Sequence, residues 1–176
     1  KILSGFYIII SVIFISTYSL ALFSEEIIKF LTVEEYYFTI KYVPIICFSI
    51  FIIHIFTSLS FNQIISTEQT GSLLKVSFLT FLINIFLNIL LIPKFQIYGA
   101  IIATMISGFI SGIYSFYLGQ RFFPISINYS SLIKIILLYV IFNIPIFILV
   151  NIQINLFAKI LLKIIIVLFL IYCLKK

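Results

Sequence analysis

Charge is what this chain has least of. Only 9% of its 176 residues are charged, where a water-soluble domain carries about a quarter. A soluble protein this poor in charge would have no surface to show the solvent. Mean hydropathy is +1.33 and 64% of the residues are hydrophobic, so the bilayer is the only solvent that fits. Eleven basic residues face five acidic ones. They punctuate apolar runs instead of forming a patch or stripe, which excludes a nucleic-acid reader. Cysteine is scarce as well. Cys47 and Cys173 stand far apart in apolar stretches, without disulfide or CxxC metal spacing, and read as small buried apolar side chains. Metal and cofactor motifs are missing, as are HExxH, GxSxG, a Walker A loop and paired intramembrane carboxylates, so no enzyme is expected.

What is there is apolar length. About 20 such residues cross a hydrocarbon core of about 30 Å, and six runs qualify: 4–23, 33–65, 72–92, 97–118, 132–150 and 156–174. The runs lack the two-residue alternation of a barrel. The expected architecture is therefore all-α, a multi-pass membrane protein whose six transmembrane helices form a single lobe in the lipid bilayer. Thr32-Val33-Glu34-Glu35 has the form of a capping box that would start the second helix outside the membrane. Tyr36, Tyr37 and Tyr42 would then lie in the interfacial aromatic belt. Pro44 predicts a kink early in that helix, Pro93 ends the third, and Gly99 marks the turn into the fourth. Asn143 and Pro145 interrupt the fifth and could open a kink that lines a cavity.

With the termini placed in the cytoplasm, six basic residues (Lys1, Lys75, Arg121, Lys134, Lys175, Lys176) oppose five (Lys29, Lys41, Lys94, Lys159, Lys163). A positive-inside rule has little to act on. The chain starts at Lys1 and enters an apolar run at once, with no small-residue cleavage site. That start reads as the cut edge of a longer protein, although an artificial boundary would look the same.

Several features bear on function. Ala100, Thr104, Gly108 and Gly112 recur every four residues, with Ala103, Ser107, Ser111 and Ser115 as a second small ridge. Such ridges let two helix backbones approach, in a static contact or a sliding one. Thr80, Asn84 and Asn88 share one helix face, either as hydrogen-bond glue between helices or along a substrate path. His54 is the only histidine, followed on its face by Ser58 and Asn62. A proton or substrate role competes there with a neutral, hydrogen-bonded ring. Lys163 rises only about 18 Å short of Lys175, so it sits in the membrane or snorkels outward along its stem. In the membrane it would suit a phosphate-bearing substrate.

The stretch Asn84-Ile-Phe-Leu-Asn88-Ile-Leu-Leu-Ile-Pro93, followed by a short turn and Gly99-Ala-Ile-Ile-Ala103-Thr104, resembles a signature of the polysaccharide and lipid-linked oligosaccharide flippases. Their superfamily also contains the MATE drug exporters. Phe23-Ser24-Glu25-Glu26-Ile27-Ile28 and Glu35-Tyr36-Tyr37 resemble the loop before that family's eighth helix. Gln96 departs from the pattern, standing where a glycine is frequent. The last two helices match only in number and hydropathy. The resemblance implies the C-terminal lobe of a two-lobed, MATE-like transporter, partnered by an N-terminal lobe of the same chain. It would move polyprenyl-pyrophosphate-linked oligosaccharide across the cytoplasmic membrane of a prokaryote. His54, Asn84, Asn88 and Lys163 are the expected substrate-pathway residues. The rival expectations are a MATE-type drug/cation antiporter and a non-transporting six-helix subunit.

Overall fold

The computed structural model describes residues 2–151 and 156–175. Lys1, Lys176 and residues 152–155, between the fifth and sixth expected spans, lie outside the described residues. In chain order the elements are α1 (Ile2–Leu22), α2 (Ser24–Leu31), a 3₁₀ helix (Glu34–Lys41), α3 (Val43–Ser66), α4 (Thr70–Phe95), α5 (Ile97–Phe122), α6 (Tyr129–Asn151) and α7 (Leu156–Lys175). No strand occurs among the described residues.

This is an all-α, multi-pass membrane protein. Apolar side chains face outward along whole helices, as with Leu74, Phe78, Phe86 and Ile89 on α4, while the helices satisfy their own backbone groups, as hydrocarbon requires. Several hydroxyls inside the spans are satisfied within their own helix. Ser16 donates to the Val12 carbonyl at 2.8 Å, Thr17 to Ile13 at 2.7 Å and Thr80 to Val76 at 2.7 Å, each one turn back. Among the described residues, five helices (α1, α3, α4, α5 and α6) are long and apolar enough to cross a membrane. The expected sixth span is helical as α7.

Several expected boundaries are corrected. The second span starts at Val43, not residue 33. Thr32 forms no capping box, since its hydroxyl donates back to the Ile28 carbonyl at 2.7 Å and so closes α2. The residues after it wind as a 3₁₀ helix, whose N-terminal residue Val33 offers no side-chain cap. Pro44 falls in the first turn of α3, where the missing N–H would be unpaired anyway, so it starts the helix and does not bend it. Pro93 does not end α4, which continues to Phe95; so near the C-terminus one lost hydrogen bond is tolerated. The turn is made by Gln96, at φ 50° and ψ −125°, and Gly99 already belongs to α5. Cys173 is half-buried, not buried like Cys47.

The chain divides into two compact units, residues 1–10 with 49–127 and residues 11–48 with 128–176. In the first, α5 lays its small residues against α3: Gly108 meets the Ile53 side chain, and a Cβ on Gly112 would lie 3.1 Å from Phe56 Cβ. The Phe56 ring stands edge-on to Phe109 and Phe116, 5.7 and 6.1 Å away. Ile64, Val76 and Leu118 close the far end of that unit. In the second unit Tyr139 of α6 is the hub. Its ring lies 4.8 Å from Phe14 and 5.9 Å from Phe48, and its hydroxyl donates to Thr17 at 3.2 Å.

Candidate functional site

The second unit holds a wide, open cavity of about 890 Å³, within the size range of ligand pockets. Its walls come from α1 (Ser16, Ser19, Leu20), α2 (Ile27, Phe30) and Ile160 of α7. They are almost wholly apolar. Glu25, Glu26 and Lys29 supply the charge at this cavity, and two of these three lead directly to α7.

Lys159 Nζ donates to Glu25 Oε2 at 2.7 Å. Lys163 Nζ donates to both oxygens of Glu26 at 2.7 Å and lies 5.6 Å from the centre of the Phe23 ring. The spacing explains the match. Lysines four apart stand one above the other on a helix face, and the two consecutive acids of α2 each reach one of them. Burial is uneven, with the lysine side chains 9% and 2% exposed and their acids 22% and 19%. Glu25 also takes Lys29 at 2.8 Å, four residues on. Burial pushes the Glu25 carboxyl up, but the bonds from Lys159 and Lys29 outweigh it and hold the group at about 2. Lys29 is in turn raised by its bond to Glu25. Because the folded carboxyl sits below its ordinary range, its pairs contribute fully above about pH 4.5. That contribution is lost only as the pH falls toward 2.

Lys163 is the one expected site residue in this group. Its ammonium is buried and paired with Glu26. Glu25, Glu26 and Lys159 were missed as site residues. Consecutive acids and lysines one turn apart were the only signal, and nothing local links residues more than 130 positions apart. A smaller cavity of about 340 Å³ is lined by Pro44, Ile45, Phe48, Val140, Asn143 and Ile144. Asn143 donates to the Tyr139 carbonyl at 2.7 Å, and α6 runs on through Pro145.

The other expected residues lie in the first unit. His54 is on the exposed surface of α3, its Nδ1 2.8 Å from the Ile50 carbonyl. Asn88 donates to Asn84 at 2.9 Å, Asn84 to Ser107 at 3.0 Å, and Ser107 to the Thr104 carbonyl at 3.2 Å. This ladder ties α4 to α5. Thr104 is exposed, Ala100 half-buried, and Gly108 and Gly112 face α3. Asn84 holds two of the ladder's bonds, while Asn88 holds one and keeps a buried, unpartnered Oδ1. Asn84→Leu is therefore expected to cost about 1–1.7 kcal/mol and Asn88→Leu about 0.6 or less. Reversible unfolding in mixed micelles would measure both, and equal costs would show that the ladder carries no such order.

Among the described residues no three of His, Cys, Asp or Glu gather as metal ligands would. No protein-family model matches the chain, and neither a curated protein nor a solved structure does.

Proposed function

We propose that this chain is one lobe of a membrane transporter that moves polyprenyl-pyrophosphate-linked oligosaccharide across the cytoplasmic membrane of a prokaryote, for cell-surface polysaccharide synthesis. The observation that carries the reading is the pair of buried lysines, Lys159 and Lys163, beside an open apolar cavity. An isoprenoid diphosphate needs cations for its head and apolar walls for its tail, and lysine is a compact cation suited to phosphate. The resemblance of residues 84–104 to the flippase signature points the same way. Chemistry on the substrate has no role; the work is binding on one face and release on the other, with a second lobe completing the path.

The test reconstitutes the protein encoded by the whole reading frame in liposomes. A fluorescent undecaprenyl-diphosphate sugar is loaded, and its loss from one leaflet is followed by a membrane-impermeant quencher. Wild type is expected to flip it at a rate at least tenfold above empty liposomes. Lys163→Met should lower that rate about tenfold, with partial rescue by Lys163→Arg. Undiminished flipping by Lys163→Met would remove the lysine from the path. Transport of an organic cation instead of the lipid would favour a drug antiporter, for which Glu25 and Glu26 at the cavity would be the binding groups.

A further inference from the structure

We propose that Glu25 and Glu26 are built-in counter-anions occupying the site of the substrate's two phosphates, so that loading the lipid diphosphate releases α2 from α7. The inference rests on reading the cavity as the site of a diphosphate-bearing lipid.

Three observations carry it. First, the two acids match a diphosphate in number: two anionic groups, joined through a short covalent link, meet two cations one helical turn apart. Second, α2 has few other attachments. It is eight residues long, only Ser24 in it is buried, and Phe23 before it offers no side-chain cap. Phe30 is 88% exposed and Leu31 is exposed as well. Its hold on α7 is therefore mainly ionic, and the partly exposed acids stand on the side from which water or a ligand arrives. Third, the charges balance only by exchange. With both acids in place, Lys29, Lys159 and Lys163 leave a single net positive charge, too little for a diphosphate. With α2 and its acids swung into water, Lys29 leaves with them, and Lys159 and Lys163 of α7 meet the ligand as two unpaired cations.

The probes are farnesyl diphosphate, farnesol and inorganic diphosphate, added to the purified full chain in detergent. Glu26→Gln is expected to bind farnesyl diphosphate about tenfold tighter than wild type, with farnesol unchanged. Removing the acid strands a buried lysine and could cost the fold. A second measurement therefore leaves the ion pairs intact: Ile27→Cys, in a Cys173→Ser background, should react with a soluble maleimide several-fold faster once farnesyl diphosphate is added. If wild type binds farnesyl diphosphate but neither change appears, the exchange is wrong and the transport reading survives. If no form binds it, both fall. If inorganic diphosphate alone reproduces the gain, the exchange stands and the ligand is a free anion, not a lipid.

Discussion

Glu26→Leu is expected to destabilise the protein more than Lys163→Met, although both break the same ion pair. Removing one partner of a buried pair costs about 3–5 kcal/mol when the survivor stays buried and uncompensated. The survivors differ here. Glu26→Leu leaves the Lys163 ammonium at 2% exposure, on a 20-residue helix that cannot turn it out without unwinding. Lys163→Met leaves a carboxylate at 19% exposure, on a short surface helix that can move it into water. The first change should cost about 3 kcal/mol or more and the second about 1–2 kcal/mol. The double variant should recover most of the loss, since an apolar pair of similar volume is often as stable as a buried ion pair. Unfolding of the four forms in mixed micelles gives the comparison. A larger loss for Lys163→Met than for Glu26→Leu would mean that the lysine, not the acid, is the group with access to solvent.

Gly99→Ala should be the most damaging of the glycine-to-alanine changes. A Cβ there would run into the Leu91 carbonyl oxygen and lie 2.5 Å from its carbon and 2.8 Å from the Ile92 nitrogen. All three are backbone atoms of α4, so the two helices would have to part, at a cost toward the upper end of about 1–3 kcal/mol. Gly119 follows, with Ser60 Cα at 3.0 Å. Gly112 needs a shift of only a few tenths of an ångström from Phe56, and at Gly108 the clash is with the flexible end of Ile53. Gly5 and Gly71 have nothing within 4 Å, so alanine is neutral there, or favourable through helix propensity by up to about 1 kcal/mol. Circular dichroism during denaturant titration in micelles would rank the six. An order led by Gly108 or Gly112 would show that the GxxxG face, not the α4–α5 crossing, is the tighter contact.

That ranking shows what a single sequence could and could not say. Gly108 and Gly112 form a motif because they repeat, yet the positions with least room, Gly99 and Gly119, are fixed by backbones that happen to cross there. The helices themselves were legible because hydrocarbon leaves a long apolar run almost no other structure. Their ends were less so: Thr32 could bond forward or backward, and it bonds back to Ile28. Pro93 could stop a helix, but two more residues fit before Gln96 turns the chain. The ladder of Asn84 and Asn88 was visible from its four-residue spacing, its partner Ser107 was not. The ion pairs were least legible of all, since Glu25 and Lys159 share no local pattern and only the fold brings them within 2.7 Å.

The junction at Gln96 also bears on how the protein is made. With one residue between α4 and α5, neither helix has slack to explore the bilayer alone, and their contacts lie close together along the chain. Loop closure there costs almost nothing in entropy. As the ribosome delivers residues 70–122, the pair is built to enter the membrane as a ready hairpin. Its polar tip, Lys94 with Gln96, stays at one surface while both apolar arms slide in together. A longer linker at this point would leave the bonds of the Asn84–Ser107 ladder to be found by diffusion in the plane of the lipid.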